Sequence, residues 1–387
     1  MKFYKKVAVL LLIIPLFFSA FNISYGDENF DIKAKSSILI DYHTGEIIYE
    51  KNAHEKLPPA SVTKIMTLLL TMEAIDKGKI GLKDEVIIST NASKMGGSQI
   101  YLEEGESQTV EDLIKAICLR SANDASVALA EYIAGSEELF VKAMNERSKE
   151  LKMNDTNFEN STGLPHESHY TSAYDIALMS KELMKHAKIQ EWLTIYMSDM
   201  KVGKKKDIVQ SLVNTNRLIK DYQGANGIKT GSTSDAKYCL SASAKRGNLQ
   251  LIAVIMGSET SKVRFEESKK LLDYGFANYD SVVIGKKGDI IGKVPINKGD
   301  KTHLEVVLKD DSYILIPKGS SGKAEKEIIL PEVLNAPIEK GKEVGELILK
   351  IDGKSVDRVK LIAKETVDKA GFVNMFKKVV KGLLTNK

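Results

Sequence analysis

The chain holds two cysteines in 387 residues, Cys118 and Cys239, too few for a disulfide framework. Both are expected as buried apolar thiols, because a free cysteine packs as a small hydrophobe, although export would expose them to oxidation. Zinc spacing is missing as well: His166-Glu167-Ser168-His169 lacks the i,i+4 histidine pair of a helical metal site. No metal and no cofactor are therefore expected. Arginine is scarce beside lysine, and no basic stretch is interleaved with aromatics as a nucleic-acid surface would be. The formal net charge of +4 reads as a solvated lysine surface. The apolar run from Val7 to Phe21 is too short to span a bilayer comfortably. Preceded by Lys2, Lys5 and Lys6 and followed by Ser24-Tyr25-Gly26 before Asp27, it has the form of an export signal occupying residues 1–26. An uncleaved anchor is the alternative; with no cysteine close behind the run, a lipoprotein anchor is not expected.

With 43% hydrophobic and 28% charged residues, the composition suits one large core and a second, smaller domain. Ser36-Ser37-Ile38-Leu39-Ile40 and Glu46-Ile47-Ile48-Tyr49 read as a hairpin turning at His43-Thr44-Gly45. After Pro58-Pro59-Ala60 a helix is predicted from about Ser61 to Asp76. Ile65, Met66, Leu68, Leu69, Leu70, Met72 and Ile75 cover nearly its whole circumference, which places it in the middle of a core. Further helices are predicted over Val110 to Ile117, Asp124 to Ile133, Glu137 to Leu151, Ser172 to His186 and Lys262 to Phe276. Strands Tyr238 to Ala244 and Leu249 to Met256 flank a turn at Lys245-Arg246-Gly247-Asn248. Strands near both ends with helices between them predict one sheet assembled from the two ends of residues 27–277, with helices packed on it.

From about Tyr279 the texture changes. Short strands such as Ser281 to Ile284, His303 to Leu308, Ser312 to Ile316 and Leu347 to Ile351 alternate with Gly, Lys and Asp turns, predicting a small β-rich domain over 278–366. In the last segment, 367–387, Phe372, Val373, Phe376, Val379, Val380, Leu383 and Leu384 share one side of a helical wheel, opposite Lys377, Lys378 and Lys381. Such a helix suits the headgroup region of an anionic membrane surface; docking on the protein is the alternative.

Three short motifs carry the chemistry: Ser61-Val62-Thr63-Lys64, Ser121-Ala122-Asn123 and Lys229-Thr230-Gly231. Ser-x-x-Lys recurs at Ser198/Lys201, Ser234/Lys237 and Ser320/Lys323, but only the copy at Ser61 has the other two motifs downstream. On a helix, residues i and i+3 share a face, so the Lys64 amine would stand beside the Ser61 hydroxyl. Serine is a poor nucleophile until a base takes its proton, and lysine serves only if its pKa falls by roughly three units. Burial, the positive end of a helix and a second cation, Lys229, would all act in that direction. The Ser61 backbone N–H is a candidate oxyanion donor, with that of Ser232 as a second. Ser121 would relay a proton and Asn123 would hold Lys64 and meet the substrate amide. Lys229 and Thr230 would grip a terminal carboxylate at the opening of a strand, where Gly231 clears space for an extended substrate.

In these motifs the chain resembles the exported low-molecular-mass penicillin-binding proteins, D-alanyl-D-alanine carboxypeptidases acting on peptidoglycan stem peptides. The resemblance extends to the signal sequence, the Ser161-Thr162-Gly163-Leu164-Pro165 loop, the Tyr170-to-Lys181 stretch, the β-rich second domain and the amphipathic tail. It implies an α/β (α+β) penicillin-binding, β-lactamase-like transpeptidase fold, an antiparallel sheet with helices packed on it, followed by a small all-β domain. It also implies acylation of Ser61 by the penultimate D-Ala with Lys64 as base, proton relay by Ser121 and Asn123, carboxylate recognition by Lys229 and Thr230, and reaction with β-lactam antibiotics. Ala122 stands where many relatives have Gly or Asp and Ser232 where some have His, without removing a required group. His169 is read as a structural loop histidine.

A serine β-lactamase would use the same acylation parts but commonly adds a Glu-x-x-Leu-Asn segment between the second and third motifs, and none is present. A transpeptidase, with an amine replacing water, is disfavoured by the lack of a large N-terminal module. A non-catalytic cell-wall scaffold is disfavoured by intact Ser61, Lys64 and Lys229. The expected location is extracytoplasmic, peripheral on the outer face of the cytoplasmic membrane.

Overall fold

The computed structural model describes residues 30–319, 324–351 and 354–371. The expected export segment 1–26 and the expected amphipathic stretch from Phe372 onward lie outside the described residues. Strands β1 (Ser36–Asp41) and β2 (Ile47–Lys51) form the predicted hairpin. They join β3 (Ala225–Thr233), β4 (Lys237–Arg246) and β5 (Leu249–Ser258) in a five-stranded sheet of order β2-β1-β5-β4-β3. Every pairing is antiparallel, so the two ends of the segment do meet in one sheet.

All ten residues of β5 are buried, as a strand covered on both faces requires. On one face lies α6 (Ser261–Asn278), whose Gly275 approaches so closely that an added Cβ would stand 3.0 Å from Leu39 of β1. On the other face, Ser180 of α5 (Ala173–Leu183) bonds Ser241 of β4, hydroxyl to hydroxyl, at 2.8 Å. There Ile38, Ile40, Ile252, Val254 and Met256 share a core with Ile65, Met66, Leu68, Leu69 and Met72 of α1 (Lys64–Asp76). The strand period of two thus sends alternate residues to separate helix layers. α1 is buried nearly all round, with Leu70 and Ile75 half-buried.

α2 (Val110–Arg120) begins at Thr109, whose hydroxyl accepts the Asp112 N–H at 3.1 Å. It ends where Ser121 turns left-handed at φ 63°, and α3 (Asn123–Ala134) starts two residues later. α4 (Glu137–Glu150) follows, capped by Ser136. The hairpin of Met197–Val202 with Ile208–Val213 was not expected. Only Met200, Val202 and Leu212 in it are buried, too few to leave a readable alternation.

Beyond α6, Tyr279–Gly285 pairs with Ser312–Pro317. A six-stranded sheet follows in the order Ala324–Ile329, Glu343–Ile351, Lys354–Ala363, His303–Leu308, Ile290–Asn297, Leu334–Asn335. This small all-β domain has its own core, including Leu304, Val306, Leu308, Leu347, Leu349 and Leu361. Bridges from Val367 to Ile338 and from Lys369 to Gly299 carry its pairing past the expected boundary at 366. His43 stacks on Tyr313 with centroids 3.6 Å apart, and Lys318 Nζ donates to the Phe276 carbonyl at 2.6 Å, tying the β domain to the sheet's first hairpin and to α6.

Because α1 is enclosed by the sheet and by α3, α4 and α5, truncating it leaves a cavity. Leu68→Ala is expected to cost about 2–5 kcal/mol in urea unfolding. The same truncation at exposed Leu139 should cost under about 0.5 kcal/mol; equal costs would contradict the placement of α1.

Candidate active site

The helix predicted from Ser61 opens differently: Ala60–Thr63 form one 3-10 turn, and the α-helix proper starts at Lys64. A 3-10 turn eclipses positions i and i+3, which sets Lys64 Nζ 3.2 Å from Ser61 Oγ. Two of the other Ser-x-x-Lys copies lack this geometry. Ser198/Lys201 sits on the strand Met197–Val202, where residues three apart face opposite sides. Ser234/Lys237 spans the turn between β3 and β4, and Ser320/Lys323 lies outside the described residues.

Lys64 is wholly buried. Its amine donates to Asn123 Oδ1 and to the Thr162 carbonyl, each at 2.6 Å. A neutral amine has two N–H groups and one lone pair, and two acceptors plus one hydroxyl match that inventory. Burial first, and the charge of Lys229 second, hold the Lys64 pKa well below its ordinary value, while Asp124 pulls the other way. The Asp124 carboxylate is itself occupied by backbone N–H groups of Ile100 and Leu102 at 3.1 Å.

Asn123 is engaged at both ends of its amide, since Nδ2 donates to the Gly96 carbonyl at 2.6 Å. It therefore holds Lys64 as expected, but its N–H is committed to protein rather than left open for a substrate amide. Ser121 is buried with no hydrogen-bond partner for its hydroxyl among the described residues. It lines a cavity of about 490 Å³ together with Ser61.

Lys229-Thr230-Gly231 lies inside β3, not at its opening. Gly231 also answers a different demand from the one expected. A Cβ there would stand 3.0 Å from the Pro59 carbonyl and from the Ser61 and Val62 nitrogens, so the missing side chain lets the strand press against the nucleophile turn. Lys229 is buried, donates to the Thr230 carbonyl at 3.1 Å, and has its pKa pushed down to about 7 by burial. The cavity is lined instead by Arg120, Arg217 and Arg264, with Thr215, Thr230 and Ser232. Arg264 donates from NH1 to the carbonyls of Gly231 and Cys239, each at 3.2 Å; Thr230 Oγ1 donates to Thr215 Oγ1 at 2.7 Å. Cys118 and Cys239 are buried free thiols.

The loop after Asn160 completes the wall. Gly163 adopts φ +83°, and any side chain there would overlap the Ala60 carbonyl. His169 Nδ1 accepts the Glu159 N–H at 3.3 Å and its Nε2 faces Thr63 Oγ1 at 2.9 Å, pinning this loop to the nucleophile turn. Burial lowers its pKa to about 4, in keeping with a structural role. Arg264, Thr215 and the Thr162 carbonyl escaped the sequence reading: the first two sit in no motif, and a backbone carbonyl carries no residue signature. Among the described residues no group of three or more His, Cys, Asp or Glu could hold a metal ion.

The family model described as D-alanyl-D-alanine carboxypeptidase matches residues 23–260, and that of the penicillin-binding protein 5 C-terminal domain matches 279–369. The chain is similar to D-alanyl-D-alanine carboxypeptidase DacF of Bacillus subtilis, 47% identical over 90% of this chain and 89% of that protein. With DacC of Escherichia coli it shares 35% identity over 88% of this chain and 86% of that one. Its structure is similar to that of penicillin binding protein 5 from Haemophilus influenzae, with TM-score 0.74 and 32% identity, covering 89% of this chain and 100% of that chain.

Two predictions follow from the packing around Lys64. Lys229→Met removes a positive neighbour that lowers the Lys64 pKa, so the Lys64 pKa rises. The ascending limb of the pH profile for acylation by a labelled penicillin then moves to higher pH; an unmoved limb would contradict the coupling. Gly231→Ala drives a methyl into the Ser61 turn and should slow acylation by at least about tenfold, measured with the same label.

Proposed function

The chain belongs to the D-alanyl-D-alanine carboxypeptidase family, a serine-type peptidase with a penicillin-binding domain and a C-terminal all-β domain, and from that membership we propose how its residues divide the reaction. Ser61 Oγ attacks the carbonyl of the penultimate D-Ala while its proton passes to neutral Lys64. The tetrahedral oxyanion is met by the backbone N–H groups of Ser61 and Ser232. The proton then reaches the amine of the departing D-Ala by way of Ser121, whose unpartnered hydroxyl suits a relay completed only when substrate is bound. Water, deprotonated by Lys64, hydrolyses the ester and restores the Ser61 hydroxyl.

The observation that carries this reading is the set of three contacts at one amine: Ser61 Oγ at 3.2 Å, Asn123 Oδ1 at 2.6 Å and the Thr162 carbonyl at 2.6 Å. The terminal carboxylate falls to Thr230 and the cavity arginines, Arg120, Arg217 and Arg264. Lys229 acts from behind, on the Lys64 pKa, rather than as the direct grip expected from sequence. β-Lactams acylate the same serine, since they present a carbonyl and a carboxylate in the arrangement of the peptide end.

We further infer export through residues 1–26, a catalytic domain over 27–277, a small β domain that begins at about 278, and membrane-surface attachment through the amphipathic C-terminal segment. The sequence patterning of both ends supports this. No helix among the described residues is long and apolar enough to cross a membrane, and the relatives are D-alanyl-D-alanine carboxypeptidases by name.

Ser61→Ala is expected to lower D-Ala release from a D-Ala-D-Ala peptide by about a thousandfold or more and to abolish the covalent penicillin adduct, read by mass spectrometry on the folded variant. Retained release, or an adduct on another residue, would refute the assignment. In the native enzyme the adduct should persist; rapid turnover of the drug would favour the β-lactamase reading.

A further inference from the structure

Segment 96–102 is irregular backbone, yet every second residue of it is bonded to the first two residues of α3. The Gly96 carbonyl accepts from Asn123 Nδ2 at 2.6 Å, and the Ser98 carbonyl from the Asn123 backbone N–H at 2.7 Å. The N–H groups of Ile100 and Leu102 then both donate to Asp124 Oδ2 at 3.1 Å. We propose that Asp124 is a positioning residue for the catalytic base: its carboxylate folds this segment into a clamp on Asn123, and Asn123 in turn orients Lys64. The inference rests on Lys64 acting as the base and adds the group that holds its partner in place.

The carboxylate is what shapes the segment. Tyr101 is left-handed at φ 61°, a conformation disfavoured for a side chain of its size. It is 62% exposed, so packing does not hold it there. Turning Tyr101 left-handed aims the N–H groups on either side of it at one point, and a backbone nest of this kind encloses an anion. Asp124, wholly buried in the first turn of α3, supplies that anion at the positive end of the helix.

The clamp secures the direction of one amide. Lys64 Nζ donates to Asn123 Oδ1, which leaves its lone pair for Ser61. An Asn123 amide turned over would point Nδ2 at the amine and take up that lone pair. The Gly96 carbonyl selects against this, because a carbonyl can only accept and so demands Nδ2 on its own side. Gly97 shows how close the fit is: its φ is +77°, and a Cβ there would stand 2.9 Å from Asn123 Nδ2.

Asp124 also reaches Lys64 through its charge. Lys229 in β3 and Asp124 in α3 act on Lys64 in opposite directions. Burial holds two further titratable neighbours of this group neutral, with the pKa of His169 in the loop after Asn160 lowered to about 4 and that of Cys118 in α2 pushed up to about 12. Asp124→Asn is nearly equal in size but removes the negative charge, so it lowers the Lys64 pKa further while it loosens the nest.

The test measures the rate of acylation of the full chain by a labelled penicillin as a function of pH, with the melting temperature, in Asp124→Asn, in Gly97→Ala and in the double variant. Asp124→Asn should slow acylation on its pH plateau by at least about tenfold and move the ascending limb to lower pH. Gly97→Ala, which strains the segment from its exposed side, should slow the plateau by a similar factor. Because both act through one amide, the double variant should be no slower than the slower single. A lower melting temperature with rate and limb unmoved in Asp124→Asn, losses that multiply in the double variant, or unchanged acylation in Gly97→Ala would overturn the clamp. Gly97→Ala decides by itself should Asp124→Asn fail to fold. Failure of the native protein to form the adduct would overturn the Ser61–Lys64 reading and the clamp with it.

Discussion

A wholly buried lysine, whose ammonium form burial and a neighbouring cation disfavour, is the constraint on which this site depends. An ammonium wholly removed from water is costly unless fully paired, and the two acceptors at 2.6 Å from Lys64 Nζ are neutral amide oxygens, not carboxylates. Asp124, the acid that acts on it, is saturated by backbone N–H groups. Burial and Lys229 therefore prevail, and the lone pair is left for the Ser61 hydroxyl. The same enclosure that lowers the pKa of the amine also orients it, because Asn123 Oδ1 and the Thr162 carbonyl each accept one of its hydrogens.

That enclosure explains choices that look unrelated along the chain. Gly231 brings β3 against the nucleophile turn, Gly163 brings the loop against the Ala60 carbonyl, and His169 pins the loop through Thr63. Asn123 reaches Lys64 because Ser121 ends α2 in a left-handed conformation and restarts the chain as α3. The sheet behind them is covered on both faces, and of its two edge strands β3 is the one that lies against the nucleophile turn. Packing and the proposed catalytic chemistry thus meet in one strand and one turn.

Much of this was legible in the residues. The three motifs, the all-round apolar α1 and the sheet drawn from both ends are properties of local pattern, and local pattern survives in sequence. What was illegible depends on tertiary approach. Gly231 was read as room for substrate when its space is filled by the Ser61 turn. Lys229 was read as a direct carboxylate grip when it lies buried behind the strand. Arg264 enters from α6, far along the chain, by bonding the Gly231 and Cys239 carbonyls; nothing near it in sequence marks the destination. The Thr162 contribution is a main-chain oxygen, which any residue would supply.

The central claim concerns one proton, and the direct measurement is the titration of Lys64 itself. In protein labelled with ¹³C at lysine Cε, the Lys64 resonance, assigned by its loss in Lys64→Arg, should titrate well below the ordinary ~10.4 of surface lysines and be largely neutral at the pH where acylation is fast. A Lys64 that titrates with the surface lysines, in an enzyme that still acylates, would contradict the account.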